Sequence, residues 1–538
     1  MLASLWKVCL LLSLTTATFA SKLDLLTATV KDLQGLLADG SVTSVELVKA
    51  YFDAIEKNNR KGFELRAVIE TAPTALKLAE ELDKERKEGK SRGPYHGIPI
   101  LIKDNIATAP ELGMNNTAGN FAVLANGLPI KSSFIGTKMT KAGLIIIGKA
   151  NLSEFANFKG DITNGWSARG NQTQSAYVKG GFLAGGDPCG SSAGSGVGVS
   201  AGFAPVALGS ETDGSIICPS NRAALYGIKP TVGLTSRSGV IPISATQDTV
   251  GPMAKSTWDA AAILSVIAGV DPEDPATSET GKYATDYTKY THDASFKGLR
   301  IGVPRAIFYN ATIGGFPEEI VTAANAAVKK LAELGATIVD PVTIPRAVDI
   351  LTSNNETIVL ETEIKVGLAE YLSKYTNTTV GGIATLGDII TYDDRYALSE
   401  FRVYAERNNE NPTEECCQQL LVASYATSPD SEAYKSALKA DTLIGASLPE
   451  TLDKYNLDVM VLPSEGYTTT LPAVYRSPIG TVPLGYLKST GQPYGLSFIG
   501  RRYSEDVLIR CMAAWEANSP PRKVPPQLAS NPPALVYN

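Results

Sequence analysis

The sequence predicts an α/β fold, with a β-sheet buried on both faces and covered by helices. Three observations point there. Apolar runs without polar alternation recur at 98–102, 144–147, 204–208, 299–303, 337–339 and 459–462, the mark of strands with no solvent-facing side. Helical patterns stand between them, as in a sheet with helices on its faces. The 538 residues are 44% hydrophobic and 19% charged, enough for one large α/β unit with insertions as well as for about three or four smaller domains.

In chain order, residues 1–20 read as an export signal. Lys7 precedes the apolar run 8–14, and Thr18-Phe19-Ala20 offers a small-residue cleavage site before Ser21. The run is shorter than the ~18 residues that span a bilayer, so cleavage and secretion are expected, with no stable membrane insertion. Thr43-Ser44-Val45-Glu46 forms a capping box opening a helix with Leu47, Val48, Tyr51 and Ile55 on one face. A second helix is predicted over 75–88, closed by Gly89, and 260–270 reads as a buried helix. The strand at 98–102 runs directly into Lys103-Asp104-Asn105. Residues 345–450 look mostly helical, an insertion or cap on a domain spanning 21–518. The proline-rich tail 519–538 is expected to be extended and peripheral.

Six Asn-x-Ser/Thr sequons suit a secreted chain: Asn115, Asn151, Asn171, Asn310, Asn355 and Asn377. Asn310, Asn355 and Asn377 are the expected glycosylation sites. Cys189, Cys218, Cys416, Cys417 and Cys511 remain once the signal is removed, an odd number with no disulfide framework in its spacing. Cys189 and Cys218 lie within three residues of candidate catalytic serines, and the sequence leaves open whether they pair.

Composition narrows the chemistry. A net charge of −6 offers no polyanion-binding surface, so no nucleic-acid partner is expected. His96 and His292 are the only histidines, which removes histidine-rich metal sites and leaves a Ser–His triad few ways to form. The densest run of small and hydroxyl residues is 185–216. It lacks the lysine of a phosphate-binding loop and the third glycine of a dinucleotide fingerprint. Gly190-Ser191-Ser192-Ala193-Gly194 fits a nucleophile elbow with Ser192 as the attacking group. That reading, an esterase of α/β-hydrolase type, requires a strand before the elbow, where 180–188 is loop-like, and a downstream histidine, which only His292 supplies.

A second arrangement uses Ser215, Ser191 and Lys103. A serine hydroxyl needs a base to remove its proton. With histidine nearly absent, the candidate base is a lysine kept neutral by burial, which lowers its pKa. Lys103, after an apolar strand, fits that role, with Ser191 passing a proton from Ser215. The glycine-bearing turn before Ser215 would aim backbone N–H groups at a developing oxyanion.

These stretches resemble the amidase signature family. Gly97 to Asn105 is similar to its lysine motif, Gly190 to Ser195 to its serine- and glycine-rich loop, and Gly209 to Ile216 to its nucleophile motif. The likeness runs over about 96–271, through Ala150 to Phe155, Gly165 to Gly170 and Gln247 to Met253, and returns weakly at 477–480 and 495–500. Glu-Thr-Asp-Gly-Ser-Ile at 211–216 is similar to the peptide amidase branch. The resemblance implies a single α/β/α unit around one large mixed sheet. It also implies Ser215 as acyl-forming nucleophile, Ser191 (after a cis peptide from Gly190) as relay, and Lys103 as base. The backbone of Thr212, Asp213, Gly214 and Ser215 would form the oxyanion hole, with no metal and no cofactor. Asp213 in place of a usual glycine and Ile217 in place of a common arginine leave substrate preference open. The expected activity is a secreted amidase acting on a small-molecule or peptide amide through an acyl-enzyme. The alternatives are an amidotransferase-like relative, against which the export signal argues, and a non-catalytic binding protein. The oligomeric state is not encoded in any motif.

Overall fold

The computed structural model describes residues 21–401 and 417–537. The signal read at 1–20 and Cys416 lie outside the described residues. The strands, in chain order, are β1 (Ser21–Asp24), β2 (Val68–Thr71), β3 (Pro99–Lys103), β4 (Ile145–Ala150), β5 (Val206–Glu211), β6 (Tyr226–Lys229), β7 (Thr249–Ala254), β8 (Arg300–Gly302), β9 (Thr337–Val339), β10 (Val459–Pro463), β11 (Ile479–Tyr486), β12 (Pro493–Ile499) and β13 (Ala534–Tyr537). Eleven of them form one mixed sheet in the order β2-β4-β3-β5-β7-β6-β11-β12-β10-β8-β9. The fold is therefore α/β, as the apolar runs predict, around the large mixed sheet that the family resemblance implies.

The centre of that sheet explains the placement of the site. β3 lies parallel to both β4 and β5, and every residue of these three strands is buried. Strands covered on both faces carry continuous Ile, Leu and Val rather than alternation. With Leu101 opposite Ala207 and Ile102 opposite Leu208, the carboxyl ends of β3 and β5 reach the same edge together, where ligand sites of open α/β sheets gather.

The expected helices form for the expected reasons. Thr43 caps the helix Ser44–Asn58, and Glu46 reaches back to the Thr43 amide, completing the box. Ala75–Lys87 and the buried Thr257–Ile267 follow. Five strands of this sheet that the apolar runs do not announce, β2, β6, β7, β11 and β12, are short or interrupted by glycine and proline. The glycines serve close approach: a Cβ on Gly251 would lie 2.0 Å from the Ile228 carbonyl oxygen. In β11 the pairing register shifts between Pro483 and Gly485, where a strand tolerates a missing N–H donor.

Between 349 and 454 the described chain is helical, chiefly Asn355–Tyr375, Leu386–Arg395 and Glu432–Lys454. Ile364, Leu368, Leu372, Ile389 and Leu421 share a second core with Leu152 and Phe155. The described tail, 519–537, is non-helical apart from one short helix. Its prolines start the short helix Pro526–Ala529, and β13 pairs antiparallel with β1. Arg522 ties it inward through the carbonyls of Leu26 and Ala224. A proline-rich segment lacks donors, so its remaining N–H groups and side chains decide where it docks. Among the described residues no helix is long and apolar enough to cross a membrane.

One buried ionic cluster fastens the helical segment to the signature region. Lys159 Nζ bonds to Glu154, to Glu400 Oε1 (2.6 Å) and to Asp393 Oδ2 (3.1 Å), all fully buried. Burial works against the Lys159 charge, but Asp393, Glu154 and Glu400 together raise its pKa. Burial and the Glu400 charge push the Asp393 carboxyl up to about 7. Removing one partner of a buried ion pair typically costs ~3–5 kcal/mol, so Lys159→Met is expected to lose stability of that order at pH 8 in urea denaturation. The deficit should shrink as the pH falls and the orphaned carboxyls, released from the lowering pull of Lys159, take up protons.

Candidate active site

Lys103 is the last residue of β3 and is fully buried. Its Nζ lies 2.6 Å from Ser191 Oγ, and 3.0 Å from both the carbonyl oxygen and the Oγ of Ser210 on β5. Burial is the main influence on the amine and pushes its pKa down to about 7, against the opposing pull of Asp248 and Glu211. Two N–H donors of a neutral amine thus have acceptors on Ser210, and its lone pair is left for the Ser191 hydroxyl.

Burial alone does not single out this lysine. Lys149, Lys229 and Lys255 are buried too, and desolvation brings them down to about 8, 8 and 7. Their ammonium groups meet backbone carbonyls, and in Lys149 also an amide oxygen: Ile106 and Asn116 for Lys149, Pro230 and Ser477 for Lys229, Leu25 and Ala28 for Lys255. Lys103 is the one of these four in contact with hydroxyls.

Ser191 stands just before the helix Ala193–Ser200, after a cis Gly190–Ser191 peptide. The Ser191 carbonyl accepts from the Ser153 amide (3.0 Å), and the next amide, of Ser192, donates to the Ser215 carbonyl (3.1 Å). The loop bearing Ser191 is thereby joined to the turn bearing Ser215. Ser215 is 6% exposed, and its Oγ makes no hydrogen bond to another described residue. The structure thus joins Lys103 to Ser191 by their side chains, and Ser191's loop to Ser215 through the backbone.

The turn 212–215 leaves β5 with its side chains anchored outward. Glu211 Oε2 accepts from the amides of Ile216 (2.6 Å) and Ile217 (2.9 Å), capping the helix Ile217–Arg222. Thr212 Oγ1 donates to Asp248 Oδ1 (2.6 Å), and Asp213 Oδ2 accepts from Thr470 Oγ1 (2.7 Å). Gly214 takes φ +86, the left-handed region that glycine enters freely. The amides of Thr212, Asp213, Gly214 and Ser215 donate to no other described residue. A run of free N–H groups beside a serine hydroxyl is the composition of an oxyanion hole. Asp213, the departure from glycine, turns its carboxylate away from these donors. Burial raises its pKa, and hydrogen bonds from Thr469 and Thr470 draw it back.

The elbow arrangement lacks its parts. Ser192 is fully buried, with Oγ donating to the Ser210 carbonyl (3.2 Å). Residues 185–192 form a loop and not a strand, and His292 is exposed on the surface. The His96 ring is occupied by the Leu82 carbonyl and the Arg92 amide. Of the sequons, Asn151 is buried with its amide bonded to the Arg66 and Asn171 carbonyls, whereas Asn310 and Asn355 are half-buried and Asn377 is exposed.

Ser210, Asn105 and Asp248 belong to the site yet carry no role in the sequence reading. Asn105 Nδ2 holds Ser210 Oγ (2.8 Å), and Asp248 holds Thr212 while also accepting from the Ile243 and Ser244 amides. All three fall inside the family-like motifs, but only the folded structure shows Ser210 against Lys103, with Asn105 and Asp248 bracing Ser210 and Thr212. Glu154, Asp393 and Glu400 are close enough to hold a cation, and the Lys159 ammonium takes that position.

The Amidase family model matches residues 46–509. A probable amidase of Arabidopsis thaliana is 35% identical over 93% of this chain and 92% of its own length. A glutamyl-tRNA(Gln) amidotransferase subunit from Thermoanaerobacter pseudethanolicus is 31% identical over 92% of this chain and 97% of its own. Among solved structures, the native peptide amidase of Stenotrophomonas maltophilia superposes with a TM-score of 0.81 at 37% identity, covering 93% of this chain and 98% of that one. With the match spanning nearly the whole chain and its sheet, this protein belongs to the amidase signature family and is an amidase, a hydrolase of carbon–nitrogen bonds.

Proposed function

We propose that the protein hydrolyses carboxamides to a carboxylate and ammonia or an amine through Ser215, Ser191 and Lys103. Neutral Lys103 takes the Ser191 proton while Ser191 takes that of Ser215, whose oxygen attacks the amide carbon. The oxyanion is received by the amides of Thr212, Asp213, Gly214 and Ser215. As the C–N bond breaks, Ser191 delivers a proton to the departing amine and is itself reprotonated from Lys103. Water then attacks the acyl-enzyme, with the relay removing its proton, and Ser215 recovers its hydrogen. The 2.6 Å contact between Lys103 Nζ and Ser191 Oγ carries this reading.

Likeness to a peptide amidase supports C-terminal peptide amides as the first substrates to try, beside small carboxamides and fatty amides. The purified chain is expected to release ammonia from a C-terminally amidated peptide without any added protein or tRNA. The 31% identical amidotransferase relative favours a second reading, transfer of amide nitrogen. Ammonia release that appeared only with an acceptor and partner proteins would support it.

Secretion and glycosylation belong to the same proposal, resting on the signal pattern of 1–20 and the sequons. A protein exported by a eukaryotic host should begin at Ser21. Glycosidase treatment should lower its mass, with Asn377, the exposed sequon, modified first among Asn310, Asn355 and Asn377.

A further inference from the structure

Cys189 and Cys218 form a disulfide, with Cα atoms 5.8 Å apart and a sequence separation of 29. Cys189 is two residues before Ser191, and Cys218 is three after Ser215. The two ends are anchored very unequally. Cys218 sits in the helix Ile217–Arg222, and its amide donates to the Gly214 carbonyl (2.8 Å), which fixes it to the turn that carries Ser215. Cys189 ends a glycine-rich loop whose one regular piece is the single 3-10 turn Gly181–Ala184, with Leu183 89% exposed. Lys103 ends strand β3 and Ser215 follows strand β5, so Ser191 is the member placed by a loop. Among the described residues, one hydrogen bond besides the disulfide joins 189–192 to 212–218, that from the Ser192 amide to the Ser215 carbonyl.

We infer that the Cys189–Cys218 disulfide is a positioning clamp that holds the relay serine against the nucleophile, so that amide turnover depends on its oxidised state. The inference rests on the roles of Ser191 and Ser215 proposed above. Both cysteines are half-buried, within reach of a dithiol. A dithiol thiolate attacks one sulfur and releases the other as thiolate; the second dithiol sulfur then closes the reductant into a cyclic disulfide. Two electrons and two protons pass to the cysteine pair, which becomes two thiols. Freed of the bond, residues 189–191 lose their covalent tie to the Ser215 turn and keep only hydrogen bonds, such as that from the Ser153 amide to the Ser191 carbonyl, and misplacement of a reacting group by about 1 Å can lower a rate ~100-fold.

The test compares kcat and KM on a primary amide for the oxidised protein, the protein treated with dithiothreitol, and Cys189→Ser/Cys218→Ser. The rate of fluorophosphonate labelling at Ser215 is measured in parallel. The expected result is a fall of about tenfold or more in kcat and labelling rate, with KM within about twofold. Reoxidation restores the wild type, and the double variant no longer responds to dithiothreitol. Cys417 is also disulfide-bonded, so Cys417→Ser should keep the wild-type kcat. A folded double variant, or a reduced wild type, that kept full kcat and lost only thermal stability would overturn the inference. If the double variant does not fold, the reduced wild type, its fold checked by circular dichroism, decides alone. An active Ser215→Ala would sink the underlying reading. An inactive Ser215→Ala beside a fully active double variant would sink only the clamp.

Discussion

Ser215→Ala is expected to lower amide turnover by about 10⁴- to 10⁶-fold, the loss seen when an acyl-forming serine is removed from a proton-relay machine. Without Oγ no acyl-enzyme forms, and what remains is rate enhancement by binding and by the N–H groups of 212–215. The fold should not notice. Ser215 Oγ holds no hydrogen bond to another described residue, so the change in stability should stay within about 0.5 kcal/mol. KM for a primary amide should also stay close to wild type, because the oxyanion donors are backbone. Ser192→Ala is the internal control. Among the described residues its hydroxyl hydrogen-bonds to the Ser210 carbonyl alone, so most of the activity should survive. Ammonia release at the original rate from Ser215→Ala, or its loss in Ser192→Ala alone, would return the nucleophile to the elbow.

Lys103→Ala carries the second large effect, a loss of about 10²- to 10⁴-fold in kcat/KM at pH 7, the usual worth of a positioned general base. The pH dependence gives the test its resolution. With the amine pushed down to about 7 by burial, the neutral, proton-accepting form grows as pH rises. Wild-type kcat/KM should therefore climb on its acid limb with a midpoint near 7. The variant should lose that limb and recover part of its activity only at high pH, where hydroxide takes the proton. Stability follows from the same shift. A lysine whose folded pKa lies below its ordinary 10.5 releases its proton on folding between about 7 and 10.5. Its contribution to stability thus rises with pH across that window, and Lys103→Ala should remove that slope from pH-dependent urea unfolding.

Much of the fold was legible because its determinants are local. Ile100, Leu101 and Ile102 announce a doubly covered strand by their composition, and Thr43 with Glu46 announces a helix start by two reciprocal bonds. Lys103 could be singled out from the residues beside it. The strands that escaped notice, such as β7 with Gly251 and Pro252, have compositions dictated by neighbours: Gly251 leaves room for the Ile228 carbonyl, a contact set by a partner strand. The site divides the same way. Ser191, Ser215 and the turn between Glu211 and Ser215 lie in one serine- and glycine-rich stretch. The roles of Ser210, Asn105 and Asp248 depend on which strand ends lie side by side. Burial of the other lysines was equally hidden, and it shows that a desolvated amine is common here while one meeting two serine hydroxyls is not. The Cys189–Cys218 pairing followed from the meeting of a loop with the helix Ile217–Arg222, which the spacing of the cysteines does not reveal.

The proposed activation of Ser215 by a neutral Lys103 amine through Ser191 is read out by the rate of fluorophosphonate labelling at Ser215, followed from pH 5 to 9 in wild type, Ser191→Ala and Lys103→Ala. The wild-type rate should rise to a plateau with its midpoint near 7, and both variants should label slowly without that transition. Labelling of Ser215 at the wild-type rate and pH profile in Lys103→Ala would contradict the proposed activation.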